Sequence, residues 1–156
     1  MKRGYTMSNT AALAKGVHHI AFAVFDAEQT LKDWQAALGL EGRVYTFNDH
    51  KKATLYVGGV MFAFIEYTVK NDRFSGFLEQ HGEGLHHIAL AVDDLEFASR
   101  RVVESGFRMQ FGTPQDAGVG TCDFVANGDL HAVVELVQPD ERSEAMQVEV
   151  SGGARS

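Results

Sequence analysis

Residues 17–28 read VHHIAFAVFDAE, and residues 85–96 read LHHIALAVDDLE. The two segments align without a gap at an offset of 68 residues, and eight of the twelve positions are identical. Identity at this level within one chain indicates an internal repeat, so the folded body contains two copies of one structural unit. The repeat decides the fold, because both copies must fold in the same way.

Each copy predicts a strand, a helix and three further strands. The apolar run predicts a buried strand, and the aspartate that follows it, Asp26 or Asp94, predicts a helix N-cap. The helices are expected to end at Gly39 and Gly106, because glycine readily adopts the left-handed conformation of a C-cap. Strand-like runs follow at 43–47, 53–57 and 61–68 in the first unit and at 107–111, 121–125 and 132–137 in the second. The sequence therefore predicts an α+β fold, in which two fused βαβββ modules form a cupped, mainly antiparallel sheet.

The composition fits one globular domain. The chain has 156 residues, of which 45% are hydrophobic and 22% charged. We expect a flexible N-terminal arm at 1–15, a single domain at 16–138 and an acidic flexible tail at 139–156. Within the domain, module 1 spans about 16–69 and module 2 about 84–138.

Charge and cysteine content exclude several classes of protein. A net charge of −7 argues against nucleic-acid binding, which favours clustered lysine and arginine. The single cysteine, Cys122, excludes an intrachain disulfide and is expected to be a small buried hydrophobe. No apolar run is long enough to span a membrane, and no signal peptide is evident, so we expect a soluble, cytoplasmic protein.

The repeated histidine pairs are the first candidates for chemistry. Successive strand residues face opposite sides of a sheet, so one histidine of each pair is expected on each face. His19 and His87 share their faces with alanines, which leave room for a ligand. His18 and His86 share theirs with bulky residues, which must pack against the helices. His19 and His87 are therefore predicted to line the concave side.

Two carboxylates in apolar strands complete a candidate metal site. Glu66 and Glu135 lie in the last strand of each unit, where a charge is costly unless it is paired or bound to a metal. Two imidazoles with one or two carboxylates suit a divalent ion such as Co²⁺, Mn²⁺, Ni²⁺, Zn²⁺ or Fe²⁺. We therefore predict that His19, Glu66, His87 and Glu135 bind a metal. The alternative is that all four are ordinary structural residues.

A resemblance to a known family rests on several motifs. These read VHHIAFAV at 17–24, LGL at 38–40, FL at 77–78, HGEGLHHIALAVDD at 81–94 and VVELV at 133–137. Over about residues 16–138 the chain resembles the vicinal oxygen chelate superfamily of glyoxalases, bleomycin resistance proteins and dioxygenases. The HGEGLHHI segment is most similar to methylmalonyl-CoA epimerases.

The resemblance implies a ligand set and a catalytic base. One divalent ion would be held by a histidine on the first strand of each module and by a carboxylate or carboxamide on the last strand of each. His19, His87 and Glu135 match three of these four positions. The fourth is Glu66 if the repeat is aligned through the last strands, and Ala63 if residues are counted back from 77–78 without gaps. The family's base, a glutamate on the second strand of module 1, is replaced here by Thr46.

Threonine cannot act as a base near neutral pH, so the base must lie elsewhere. Asp49, His50 and Glu135 are the alternatives for this role, and Glu135 is the catalytic residue we predict. His50 is otherwise expected at the surface, as are His81 and His131. The Gly-rich segment 112–120 is expected to form a hinge or lid over the cup.

The function implied by the resemblance is a metal-dependent epimerase or isomerase of the methylmalonyl-CoA type, which moves a proton alpha to a carbonyl. A CoA thioester substrate and a homodimer are expected. Alternatives are an extradiol-type Fe(II) dioxygenase or glyoxalase-type lyase using His19, His87 and Glu135, and a non-catalytic small-molecule binder. The cations available for the CoA phosphates are Lys51, Lys52, Lys70, Arg73, Arg100 and Arg101. Scattered charges of this kind more often belong to the solvated surface.

Overall fold

The computed structural model describes residues 12–70, 74–126 and 128–151. Most of the expected N-terminal arm lies outside these ranges, as does Arg73. Module 1 consists of β1 (Gly16–Ala23), α1 (Ala27–Leu38), β2 (Gly42–Thr46), β3 (His50–Val57) and β4 (Val60–Tyr67). After α2 (Phe74–His81), module 2 consists of β5 (Gly84–Ala91), α3 (Leu95–Glu104), β6 (Gln115–Asp116), β7 (Gly120–Phe124) and β8 (Val134–Pro139), and α4 (Glu141–Ser151) follows it.

The strands form one mixed sheet of eight, in the order β2-β3-β4-β1-β5-β8-β7-β6. Strands β1 and β5 pair antiparallel at its centre, and each pairs in parallel with the last strand of its own module, β4 or β8. All other pairs are antiparallel. The predicted fold of two βαβββ modules is confirmed.

The helices begin and pack as the repeat predicts. Asp26 accepts a hydrogen bond from the Gln29 N–H at 2.9 Å, and Asp94 caps α3 in the same way. The Trp34 ring of α1 lies 5.8 Å from Phe22, centroid to centroid, on the bulky face of β1. The helical layer therefore covers one face of the sheet and leaves the concave face for other groups.

Residues 107–111 do not form the predicted strand. Only Met109 makes a bridge, to Val125, and the short strand β6 lies further along the chain. The buried carboxylate of Asp123 accepts hydrogen bonds from the N–H groups of Phe111 and Gly112. This side chain takes the place of ladder partners and turns the backbone into the loop that precedes β6.

The predicted acidic tail is a helix over most of its described length, so that prediction was wrong for 141–151. Helix α4 buries Met146 and Val150, which are four residues apart and therefore on one helical face. Met146 packs with Met61 and Cys122, so α4 lies on the concave side of the sheet. Within the described ranges, no helix has the length and hydrophobicity needed to span a membrane.

Candidate metal centre

Three buried side chains meet on the concave face of the sheet. The Nε2 atoms of His19 and His87 are 3.2 Å apart, and Glu135 Oε2 lies 2.9 Å from His87 Nε2 and 3.6 Å from His19 Nε2. Each residue is at least 92% buried: His19 is 8%, His87 4% and Glu135 4% exposed. The structure thus brings together three of the four residues predicted to bind a metal.

Strand pairing explains why these side chains meet. His19 pairs with Ala89, and His87 pairs with Ala21, so the histidines are diagonal neighbours across β1 and β5. Ala89 also pairs with Glu135 on β8. Because paired residues project to the same face, two alanines surrounded by His19, His87 and Glu135 form the floor of the site.

The remaining histidine of each pair supports its neighbour instead of pointing away. Pairing passes directly from Val17–Leu90 to His19–Ala89, and from Ala21–His87 to Phe22–Leu85. His18 and His86 are therefore the extra residues of two β-bulges, which turn a side chain from its regular direction. His18 Nδ1 lies 2.8 Å from His19 Nδ1, and His86 Nδ1 lies 2.9 Å from His87 Nδ1.

These contacts are compatible with the tautomer that a metal needs. An imidazole that binds through Nε2 carries its proton on Nδ1, so His19 and His87 would donate to His18 and His86. His18 then carries its own proton on Nε2, which lies 2.7 Å from Ser143 Oγ of α4. Burial, followed by the charge of His19, lowers the pKa of His18 to about 4, which keeps this ring neutral.

The cluster fits a divalent ion by distance and by chemistry. Two atoms that each lie about 2.0–2.1 Å from one ion are roughly 3.0–3.4 Å apart, close to the separations measured here. Glu135 Oε1 is buried without a hydrogen-bond partner among the described residues. An orphaned carboxylate oxygen beside two imidazole nitrogens is costly unless a cation binds there.

Glu135 is held as a carboxylate. Its burial alone would raise the pKa, but hydrogen bonds from His19 and His87 hold the pKa of Glu135 well below its usual range. A carboxylate of low pKa is a good metal ligand and a weak acceptor of protons.

Glu66 does not join the cluster, and the prediction that it would was wrong. Its Oε2 accepts a hydrogen bond from the N–H of Ala27 at 3.0 Å, in the first turn of α1. Glu66 shares a strand face with Phe64, which packs beneath the helices. The alternation of bulky and small residues along β4 already carried this signal.

Ala63 occupies the position on β4 that Glu135 has on β8. Ala21 pairs with Ala63 and its repeat equivalent Ala89 pairs with Glu135, so the two positions correspond. The offset of 72 residues between Ala63 and Glu135 also relates Glu66 to Gln138. Gln138 Oε1 accepts a hydrogen bond from the N–H of Leu95, which is the repeat equivalent of Ala27. The cluster therefore has three candidate protein ligands, with a methyl group where a fourth would lie.

A cavity of about 500 Å³ opens beside the cluster. His50 and Tyr67 line its wall near the ends of β3 and β4, and Gly118 and Val119 line it from the segment predicted to form a lid. Cys122 is part of the wall and is buried, as expected of a small hydrophobe. Thr46 is exposed on β2 and is not among the described residues that line the cavity.

His50 is not a simple surface residue. Its Nδ1 lies 2.7 Å from Asp49 Oδ1, and its ring stacks between Phe47 at 4.5 Å and Tyr67 at 5.4 Å. A histidine whose Nδ1 is held by a carboxylate presents Nε2 as the atom for proton transfer. Among the alternatives to Thr46, His50 is the residue that lines the cavity and has one ring nitrogen held by a carboxylate.

The sequence alone did not place Lys52 beside the candidate metal ligands. This lysine was one of the cations available for the CoA phosphates, with a solvated surface position as the alternative, but it lines the cavity and is 8% exposed. The alternation on β3 gives the reason: Ala53 and Leu55 pack beneath α1, so Lys52 must face the cup.

The family of the chain follows from a sequence comparison. A model of the glyoxalase/bleomycin resistance protein/dioxygenase superfamily matches residues 18–123, which is more than half of the chain. The chain belongs to this superfamily, whose members typically bind a divalent metal ion. No curated protein sequence matched the chain.

Solved structures show a similar fold in methylmalonyl-CoA epimerases. The epimerase from Mycobacterium tuberculosis superposes with a TM-score of 0.77 at 21% identity, covering 89% of this chain and 97% of the other. A methylmalonyl-CoA epimerase in complex with methylmalonyl-CoA and NH4+ gives a TM-score of 0.75 at 23% identity, over 83% and 97% of the two chains. A variant of the Streptomyces coelicolor epimerase, in complex with 2-nitronate-propionyl-CoA, also gives 0.75 at 23% identity, over 82% and 96%. At these identities the likeness shows a shared fold.

Proposed function

We propose that this protein is a metal-dependent epimerase that acts on methylmalonyl-CoA or a similar CoA thioester. The observation that carries the proposal is the cluster of His19, His87 and Glu135 at the wall of an open cavity. The similar fold of methylmalonyl-CoA epimerases supports the choice of substrate.

The three clustered side chains would hold the ion, and His18 and His86 would fix the two imidazoles that bind it. A divalent ion bound there would act as a Lewis acid on two substrate oxygens and so stabilise negative charge on the carbonyl. The donor set suits Co²⁺, Mn²⁺, Ni²⁺, Zn²⁺ or Fe²⁺.

His50 would remove the proton alpha to the thioester carbonyl. Asp49 holds Nδ1 of the ring, so Nε2 would accept the proton while the electron pair of the C–H bond is delocalised toward the carbonyl oxygen. Return of a proton to the opposite face gives the epimer. Glu135, which the sequence predicts as the catalytic residue, would serve here as a metal ligand, because its low pKa leaves it without a proton to deliver. The proton for the opposite face would therefore come from solvent entering the cavity.

The test is exchange of the alpha proton in deuterated water. Metal-loaded protein incubated with methylmalonyl-CoA should incorporate deuterium at the alpha carbon, followed by mass spectrometry. The His87→Ala variant should lose exchange, and His81→Ala, at an exposed histidine on α2, should retain it. Absence of exchange with all five metals would contradict the proposed function.

One observation favours a second function. Because Ala63 contributes no ligand, His19, His87 and Glu135 form a 2-His-1-carboxylate set of the kind found in non-haem Fe(II) oxygenases. The second candidate is therefore an extradiol-type dioxygenase. Oxygen uptake by Fe(II)-loaded protein with a catechol, together with no exchange of the thioester proton, would select it over the epimerase.

The expected homodimer is a separate prediction. Light scattering after size-exclusion chromatography tests it.

A further inference from the structure

Lys52 is a buried cation without an anionic partner. Within the described part of the chain its ammonium group makes no ion pair or side-chain hydrogen bond, and it lies 5.5 Å from the centroid of the Phe47 ring. On the other side, a Cβ added to Gly118 would lie 4.0 Å from Nζ. The ammonium is therefore enclosed between β3 and the loop that borders the cavity.

Two other cations, one in the same cavity and one at the surface, have the partners that Lys52 lacks. Arg142 lines the same cavity, yet its guanidinium lies 3.0 Å from Asp116 and 2.9 Å from Asp140. Even the exposed Lys32 lies 3.1 Å from Glu28. Burial of an ammonium without such a partner is unfavourable, because the charge loses hydration and gains no opposite charge in return.

The surroundings of Lys52 contain one nearby negative charge, which is already engaged elsewhere. Burial lowers the pKa of Lys52, and the negative charge of Glu135 opposes part of that effect. Glu135 does not itself form an ion pair with Lys52, since its Oε2 is directed at His87 and His19. The Lys52 charge is thus available to an anion that enters the cavity.

The two modules differ at this position, which argues against a role in folding. Ile65 pairs with Lys52, and its equivalent on β8, Val137, pairs with Cys122. The same structural position thus holds a lysine in module 1 and a buried cysteine in module 2. The module fold therefore does not need a cation there.

We infer that Lys52 binds a carboxylate of the substrate beside the candidate metal centre and selects thioesters that carry a carboxylate on the alpha carbon. This inference rests on the proposed function only in placing the substrate in this cavity. Lys52 would act as a specificity-determining residue, and the ammonium would donate hydrogen bonds to the carboxylate oxygens.

The experiment compares two thioesters that differ only in the carboxylate. Calorimetric titration of metal-free protein with malonyl-CoA and with propionyl-CoA separates the contribution of Lys52 from chelation by an ion. Wild-type protein should prefer malonyl-CoA by about 10- to 100-fold, the effect of a hydrogen bond to a charged group. The Lys52→Met variant should lose this preference and retain its affinity for propionyl-CoA.

Two further variants complete the design. Lys51→Met removes the neighbouring charge on the opposite face of β3 and should keep the preference, whereas Lys52→Arg should keep part of it. Because removal of an unpaired buried charge relieves its desolvation cost, Lys52→Met should also unfold at a higher temperature than wild type. If that variant fails to fold, Lys52→Gln provides the same comparison.

The outcomes separate this inference from the proposed function. A preference for malonyl-CoA that survives in Lys52→Met would overturn the inference, as would failure of both thioesters to bind at millimolar concentration. Loss of the preference together with no deuterium exchange in the metal-loaded protein would support the anion site and contradict the epimerase.

Discussion

Strands β4 and β8 are equivalent in fold and different in chemistry. Each pairs in parallel with the first strand of its module. The next-to-last residue of each strand accepts a hydrogen bond from a backbone N–H in the first turn of a helix: Glu66 accepts from Ala27, and Gln138 accepts from Leu95. Three residues earlier, β4 carries Ala63 and β8 carries Glu135. Both strands have the structural residue, and the candidate metal ligand is present on β8 alone of the two.

The neighbouring strands differ in a similar way. On the cavity side β3 presents His50, Lys52 and Thr54, and the corresponding positions of β7 are Gly120, Cys122 and Phe124. Strand β3 therefore presents polar and cationic groups on this side, and β7 presents small or apolar ones. A substrate would bind between two unlike surfaces.

The largest effect is expected at the histidines, where the modules are alike. Replacing either His19 or His87 by alanine removes one of three ligands, so each change should lower metal affinity by more than about 100-fold, beyond what outer-shell changes cause. Metal content after dialysis, measured by plasma mass spectrometry, checks this. Retention of full metal content by His87→Ala would show that the cluster is not the metal site.

The supporting histidines should matter less and about equally. In His18→Phe and His86→Phe, the Nδ1–H of the ligand loses its acceptor, and metal affinity should fall by about 10- to 100-fold. Competition with a chromophoric chelator measures this loss. A large difference between the two variants would mean that the orientation of one ligand ring depends on contacts beyond its neighbouring histidine, such as the contact of His18 with Ser143.

Ala63→Gln should make module 1 resemble module 2. A carboxamide oxygen at this position would add a fourth protein ligand, and metal affinity should rise about 10-fold, a gain of roughly 1.4 kcal/mol. The same chelator competition applies. If the affinity is unchanged or lower, Ala63 does not face the ion, and the correspondence between β4 and β8 does not extend to ligand geometry.

The smallest effect is expected at the two helix starts. Glu66→Ala and Gln138→Ala each remove an acceptor from a backbone N–H, and each should lower the free energy of unfolding by about 1 kcal/mol. Urea denaturation of metal-free protein provides the values. Metal affinity should stay at the wild-type level in both variants, and a loss in Glu66→Ala would restore it as a candidate ligand.

The sequence predicted those features that a strand pattern or a repeat determines. The two modules, the N-caps at Asp26 and Asp94, and the meeting of His19, His87 and Glu135 follow from the duplicated segment and from the rule that alternate residues share a face. The alignment of Glu66 with Glu135 failed because local similarity was followed across a change in loop length. The bulky neighbour Phe64 would have placed Glu66 under the helices.

Other features depend on distant contacts. The bulges at His18 and His86 arise from how β1 and β5 meet, which one strand's sequence does not specify. Helix α4 has few apolar residues, and it is stabilised by packing on the sheet instead of by its own pattern. Lys52 appeared as an ordinary charged residue because its burial depends on the loop that carries Gly118.

Helix α4 also sets the shape of the entrance. The helix fills one side of the concavity. Its Met146 packs against Met61 and Cys122, and its Glu149 accepts a hydrogen bond from the Tyr45 hydroxyl. A ligand of the cavity would therefore pass beside α4, whose Arg142 lines the wall. Removal of residues 141–151 would widen this passage and, by separating Ser143 from His18, would also release one of the imidazoles of the centre.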